Sequence, residues 1–453
     1  MGLTHEIVQA YQSDRQFLGK SPEVDDVFDA DQLLEKGQWE TDFLLDHQDP
    51  LTGNFPAAAR HKRSIAGEYE ASWTRDNANI GGALVSNETL DTFPLSTATG
   101  QRIAVSTRFA LQQSLKRYTE EPYLSTFQGK EVSITDTSGN TFVIKHAPIH
   151  YDTSGIYRRW ELGDQPDSFG KELSYLAQAL NRGVITNLSE KEYEGMLNVG
   201  RYLIDNKIHT KTSFVPMWEQ KQWVSGEKQN GAVRPPPISS IALVSQGLSD
   251  IAPRFSKEEQ EKIRKIVQES ETIVLRHYPH EVASEFDYDG DTNLSTGVAL
   301  VEGAIPYVDP LIWITEAHRK LGSEETPGLI RFWHDPYHID MSSREGMNRE
   351  SFWIMGILIK SILYFRAWEQ VYQDNPELAG VLKRNGFFEL KKALALEKQY
   401  GFQPELVKQT GNGYELPPEE WQNDLLWNHA YTHRMVLGAR RVLRLEKGLP
   451  LAA

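Results

Sequence analysis

Two glutamates stand where this chain can do chemistry. Glu219 follows an indole in Met217-Trp218-Glu219-Gln220, just after Phe214-Val215-Pro216, and Glu405 follows a proline in Phe402-Gln403-Pro404-Glu405-Leu406. Carboxyl groups far apart along a chain can still face each other across one pocket. Such a pair can hydrolyse a glycosidic bond by acid–base catalysis, with no metal, thiol or cofactor.

Three further clusters carry polar groups suited to sugar hydroxyls. In Trp73-Thr74-Arg75-Asp76-Asn77, Arg75 offers a fork of donors, Asp76 two acceptor oxygens and Trp73 a face for a ring. The same residues equally suit a helix N-cap with a surface ion pair. In Trp160-Glu161-Leu162-Gly163-Asp164-Gln165-Pro166-Asp167-Ser168-Phe169-Gly170, Gln165 and Asp167 can bond hydroxyls at a helix N-terminus, or Asp167 can cap a helix beginning near Phe169. Trp427-Asn428-His429-Ala430-Tyr431 opens the last long helix, where its polar residues suit a pocket mouth and His429 suits hydrogen-bonded structure. Trp223 suits either the floor of a leaving-group site or a core. Asp287-Tyr288-Asp289-Gly290-Asp291-Thr292-Asn293 has the composition of a calcium loop. Its glycine falls at the fourth place and Val298 at the twelfth, where calcium needs a bidentate Glu, so it reads as a solvated turn. Other His and carboxylate residues show no metal-ligand spacing.

Elements must hold these groups. With 453 residues, 39% hydrophobic and 25% charged, the chain has material for a large core. Eleven Trp and 18 Tyr suit sugar rings as well as core packing. A formal charge of −15 argues against nucleic acid and anionic membranes as partners. The absence of cysteine excludes disulfides, thiolate metal sites and Cys nucleophiles. Met-Gly-Leu-Thr-His-Glu lacks the pattern of a signal peptide, Glu6 argues against myristoylation, and the apolar run 352–359 is too short for a bilayer. A cytoplasmic protein without a membrane partner is expected.

Most of the chain carries helical periodicity. In 103–118, Leu111, Leu115 and Tyr118 alternate with Gln112, Lys116 and Arg117 at helical spacing, and 171–183, 191–206, 257–276, 310–321, 388–400 and 427–446 read the same way. The segment 352–372 is apolar on nearly all sides, as a helix buried between others would be. Residues 131–145 alternate about Ser138-Gly139-Asn140 and predict a β-hairpin. Pro235-Pro236-Pro237 is the strongest breaker and reads as a loop between helices. Neither a linker nor a repeat divides the chain, so 1–453 reads as one all-α domain with long functional loops.

Together the segments resemble glycoside hydrolase family 15, the glucoamylase-like enzymes, and the related domain of phosphorylase kinase regulatory subunits. The resemblance runs in order through His47-Gln48-Asp49-Pro50-Leu51-Thr52-Gly53, Trp73-Thr74-Arg75-Asp76, Gln165-Pro166-Asp167-Ser168-Phe169-Gly170, Trp218-Glu219, Pro404-Glu405 and Trp427-Asn428-His429-Ala430. It implies an (α/α)6 barrel, with the hairpin as a small insertion and the site in loops at one end. It implies an inverting exo-hydrolase that releases β-glucose from non-reducing ends. On this resemblance Glu219 is the general acid and Glu405 the general base, with Glu415 as the alternative base. Arg75 and Asp76 grip substrate, joined by Trp73, Gln165, Asp167, Trp218, Trp427 and Arg331 of Gly328-Leu329-Ile330-Arg331-Phe332. No metal or cofactor is implied. Gln220 replaces a second Glu found in many members, and the link from the base to the last helix is longer than usual. On this resemblance no segment of the sequence corresponds to a β-sandwich or a starch-binding module, so a short α-glucosidic oligosaccharide, malto- or isomalto-type, is the expected substrate. A silent regulatory protein that binds sugar and a trehalase-like glycosidase are the competing expectations. Linkage and oligomeric state are open.

Overall fold

The computed structural model describes residues 29–61, 72–135, 139, 141–151, 164–211, 213–214, 217, 223–226, 228–229, 232–233, 236–281, 292–322, 326–331, 351–410, 413–416 and 423–452. Its helices are α1 Ala30–Asp46, α2 Thr74–Leu84, α3 Asn87–Thr92, α4 Ala98–Arg117, α5 Tyr123–Phe127, α6 Pro166–Asn181, α7 Glu190–Asn206, α8 Ile238–Ile251, α9 Lys257–His277, α10 Leu294–Val301, α11 Pro310–Lys320, α12 Met355–Val371, α13 Pro376–Tyr400 and α14 Leu426–Glu446.

Apart from the short α3 and α5, these alternate between two environments. Helices α2, α6, α8, α10, α12 and α14 are buried along nearly their whole length; α12, for example, is buried without a break from Met355 through Phe365. Their partners show one apolar stripe. In α9 the buried side chains are Ile263, Ile266, Ser270 and Val274, the spacing of a single helix face. The buried helices form a closed ring in which α2 packs on α6, α6 on α8, α8 on α10, α10 on α12, α12 on α14 and α14 on α2. The striped helices cover that ring from outside: α1 lies on α14, α7 on α6, α9 on α8, α11 between α10 and α12, and α13 on α12. This is an (α/α)6 barrel.

Glycine allows the tightest contact in the inner ring. A Cβ on Gly247 of α8 would lie 2.0 Å from the carbonyl oxygen of Gly170 in α6, so the two helices meet backbone to backbone.

Capping separates the two layers. Every long outer helix starts with a side-chain cap: Asp29, Thr97, Ser189, Ser256, Asp309 and Asn375. Ser189–Glu192 and Ser256–Glu259 form full capping boxes. Among the described residues, the inner helices α2, α6, α8, α12 and α14 have no such cap bond from their own N-cap residues Trp73, Gln165, Pro237, Ile354 and Leu425. Only α10 does, through Asn293.

Strands β1 Ala58–His61, β2 Ser72–Trp73, β3 Val132–Thr135, β4 Thr141–Ile144, β5 His150–Tyr151, β6 Ser213–Phe214, β7 Trp223–Val224, β8 Lys228–Gln229, β9 Ala232–Val233, β10 Ser351–Trp353, β11 Leu406–Thr410, β12 Gly413–Glu415 and β13 Asn423–Leu425 make small antiparallel sheets. Three of them run directly into inner helices: β2 into α2, β10 into α12 and β13 into α14. The hairpin expected at 131–145 is β3 and β4, with Thr135 opposite Thr141. The segment 352–372 opens as strand β10 before α12 begins. Helix α13 extends well upstream of the expected 388–400, starting at Pro376 behind its Asn375 cap. No described helix is long and apolar enough to cross a membrane.

Candidate active site

Eight of the residues singled out for chemistry gather where the inner helices begin. Trp73, Arg75 and Asp76 open α2, Gln165 and Asp167 open α6, Arg331 is tied to the start of α10, Glu405 is tied to the start of α12, and Trp427 lies in the first turn of α14.

The α2 cluster is rigidly placed. Trp73 pairs with His150 across β2 and β5, and the rings stack with centroids 4.1 Å apart. Thr74 N–H donates to the Ile149 carbonyl at 2.9 Å. Asn77 closes the turn, donating to the Phe55 carbonyl at 3.1 Å and the Trp73 carbonyl at 2.9 Å, and accepting from Phe55 N–H at 2.7 Å. Arg75 and Asp76 are each only 7% exposed, so they are not a surface ion pair. Their nearest charged atoms, Nε and Oδ1, are 4.0 Å apart, and the Arg75 guanidinium lies 5.8 Å from the Trp427 ring.

On α6, Gln165 and Asp167 are completely buried. The helix begins at Pro166, so Asp167 sits inside the first turn and is not the cap of a helix starting at Phe169. Neither polar atom of the Gln165 side-chain amide has a hydrogen-bond partner among the described residues. A buried amide in that state suits a ligand's hydroxyls.

Arg331 lies 4.4 Å over the Trp353 ring, and its carbonyl accepts Leu294 N–H at 2.8 Å. Trp353 pairs with Leu406, the residue after Glu405. The Glu405 carbonyl takes Ile354 N–H at 3.3 Å, and the side chain is buried at 6% exposure. The turn before it is held by α14 and β13: Asn428 Nδ2 donates to the Pro404 carbonyl at 2.8 Å, and Gln403 N–H to Asp424 Oδ1 at 3.0 Å. That oxygen also receives His429 Nε2 at 2.8 Å, while His429 Nδ1 meets Glu40 Oε2 of α1 at 2.8 Å. Burial alone would push the His429 pKa down, but the Glu40 charge and the bonds to Asp424 and Glu40 raise it to about 9. With a carboxylate on each nitrogen, the ring is an imidazolium.

A charged floor closes the ring beneath Arg75. Glu302, following α10, receives Lys171 at 2.8 Å, Arg434 at 2.8 Å and the Tyr431 hydroxyl at 2.9 Å. Burial raises the carboxyl pKa, but the Lys171 and Arg434 charges outweigh it and bring the group to about 2.

Trp218 and Glu219 fall outside the described residues; Met217 beside them is buried, its N–H donated to Ser240 Oγ of α8 at 3.2 Å. The Glu415 backbone pairs with Lys408 at the far side of β11. Trp223 pairs with Phe214 in β6 and β7, its side chain outside the description, as is most of the 287–293 loop.

Four participants were not legible as such: His150 under Trp73, Trp353 under Arg331, the Glu40–His429–Asp424 chain, and Glu281. Glu281 accepts the backbone N–H of Ser239 at 2.7 Å and its hydroxyl at 3.0 Å, so it caps α8 from a distance. Burial pushes its carboxyl up to about 7 against those hydrogen bonds. Apart from Asp424 and His429, five residues apart, these partners are distant in sequence, so no local signal announces them.

Comparison with family models gives no match. Comparison with curated protein sequences gives none either. Solved structures do match. The chain is similar to a wild-type glycosidase at TM-score 0.59 and 15% identity, covering 92% of this chain and 99% of that one. A variant glycosidase in complex with glucose matches at TM-score 0.60 with the same identity and coverage. The glucoamylase of Saccharomycopsis fibuligera matches at TM-score 0.57 and 12% identity, covering 92% of this chain and 96% of that one. At such identities the likeness is one of fold: the chain has a glycosidase-like (α/α)6 architecture.

Proposed function

We propose that this chain is an inverting, exo-acting α-glucoside hydrolase that releases β-glucose from the non-reducing end of short α-gluco-oligosaccharides. The observation that carries the reading is the buried Arg75–Asp76 pair beside Trp427, at the same end of a glycosidase-like barrel as the buried Glu405. A donor fork, a carboxylate and an indole together recognise a hydroxyl-bearing ring. A carboxylate at the same mouth supplies a base.

In this scheme Glu219 gives its proton to the glycosidic oxygen as the bond from that oxygen to the anomeric carbon breaks. Trp218 beside it would disfavour the charged carboxylate and keep the acid protonated near neutral pH. Water attacks the anomeric carbon from the opposite face and passes its proton to Glu405. The two carboxyl groups then need a separation of roughly 6.5–9.5 Å to admit that water. Exchange with solvent restores both glutamates. Trp73, Gln165, Asp167 and Arg331 hold the terminal ring.

The test is a panel of maltose, isomaltose and trehalose with the product anomer followed by NMR. β-Glucose is expected first. The α-anomer first would overturn inversion. No turnover on any of them, with sugar binding seen by calorimetry, would overturn the hydrolase reading in favour of a regulatory binder.

A further inference from the structure

A second polar hollow opens at the other mouth of the barrel, where the inner helices end. It has a volume of about 630 Å3 and is lined from the C-terminal parts of α6, α8, α10, α12 and α14 together with α3. That volume falls within the ~300–1,000 Å3 common to small-molecule sites. It is a separate place from the cluster around Arg75, which opens at the starts of the same helices.

The charges of its wall largely satisfy one another. Arg366 holds Glu88 at 3.0 Å, Arg434 holds Glu302 at 2.8 Å, and Arg441 holds Glu369 at 2.8 Å. Arg434 also donates to the Val301 carbonyl at 2.9 Å. These pairs make a fixed, nearly neutral frame. Two ionic groups lie outside it. Arg182 has no hydrogen bond or ion pair from its guanidinium among the described residues, and Asp250, also in the lining, has one oxygen on the Ser174 hydroxyl at 2.7 Å and the other without a hydrogen bond among the described residues. Ser86, Asn87, Gln178, Asn181, Gln246 and Gln370 make up the rest of the polar lining.

We propose that this hollow is a second binding site, for a neutral polyhydroxylated molecule of monosaccharide size. A guanidinium fork, a carboxylate oxygen and several amides supply donors and acceptors in the mixture that vicinal hydroxyls require. An anion fits less well. Glu88 and Asp91 both act on Arg182 electrostatically, so the cation without a partner already sits in a negative field. An apolar or aromatic ligand fits worse, because among the described residues the only apolar side chains of the lining are Ala177 and Val301. Glu302 and Arg434 belong to the wall of this hollow and to the floor under Arg75 alike. Arg182 belongs to the hollow alone, and so is the position that isolates it.

The experiment reads binding, not turnover, so it stands apart from the hydrolase reading. Full-length protein is titrated with glucose and, separately, with inorganic phosphate, using saturation-transfer NMR and calorimetry. Wild type is compared with Asp76→Ala, which removes the front grip, and with Asp76→Ala combined with Arg182→Ala or Gln178→Ala. Weak glucose binding should survive Asp76→Ala and fall about tenfold or more when either second change is added, as expected for lost hydrogen bonds to a charged or amide partner. Residual binding that neither second change moves would overturn the assignment, as would phosphate binding tighter than glucose at Arg182. Should the double variants fail to fold, wild-type crystals soaked in glucose decide: density between Arg182 and Asp250 supports the site, and its absence with the front site filled refutes it.

Discussion

His429 offers the sharpest test of how Glu405 is held. Its two nitrogens face Glu40 and Asp424, each at 2.8 Å, and Asp424 in turn anchors the backbone of Gln403 two residues before Glu405. The folded pKa of about 9 lies above the ordinary 6.5. Because the folded state binds this proton more tightly, the stability it confers is fully present below pH 6.5 and is lost as pH rises through about 9. At ~1.36 kcal/mol per pH unit, the interval amounts to about 3 kcal/mol. The lowered pKa of Glu40 is the same interaction seen from its partner and adds nothing further. Lys171 works the other way. Burial lowers its pKa from 10.5 to about 8, so its contribution rises with pH across that interval. The assay must therefore compare wild type with His429→Gln, in which the Lys171 effect cancels. Urea unfolding at a series of values from about pH 6 to about pH 10 should show the wild-type advantage shrinking by about 3 kcal/mol. A difference that stays constant across that range would refute the imidazolium between two carboxylates. At neutral pH the variant should also lose kcat more than it raises KM, because the slackened turn carries the proposed base.

Glu405→Gln should lower kcat by about a thousandfold or more with little change in KM, and azide should restore the Ala variant; full activity would transfer the base role to Glu415. Glu219→Gln should be equally damaging, and wild-type turnover would end the acid assignment. Arg75→Lys keeps the charge but loses the planar fork, and should raise KM by about tenfold, read from initial rates on the best disaccharide. Gly247→Ala puts a methyl 2.0 Å from the Gly170 carbonyl oxygen, where only backbone can yield. It should cost about 3 kcal/mol or prevent folding, and an unchanged melting temperature would contradict the close contact of α6 and α8.

The outer α4, α7, α9, α11 and the C-terminal half of α13 were legible from sequence, as were the hairpin and the inner α6, α12 and α14; in the outer helices and the hairpin a wet side faces a dry side, and that contrast sets a period. Ile263, Ile266 and Val274 recur on α9 between charged residues, and Val132 and Ile134 alternate on β3. Inner helices such as α8 and α10 lack that contrast. Leu294–Val301 is buried on every side, and a segment with no polar face carries no helical period to read. The site divides in the same way. Residue types and their order along the chain were enough to nominate Arg75, Asp76, Gln165, Asp167, Arg331, Glu405 and Trp427. Their gathering at one mouth follows from the closure of six inner helices into a ring. The partners that hold them come from remote parts of the chain: Glu40 and His429 are 389 residues apart and share one hydrogen bond. A local pattern records only what a residue's neighbours in sequence demand. Which buried charge meets which is settled by the ring, since burial makes an unpaired carboxylate too costly to tolerate and only the packed helices bring its counter-charge within reach.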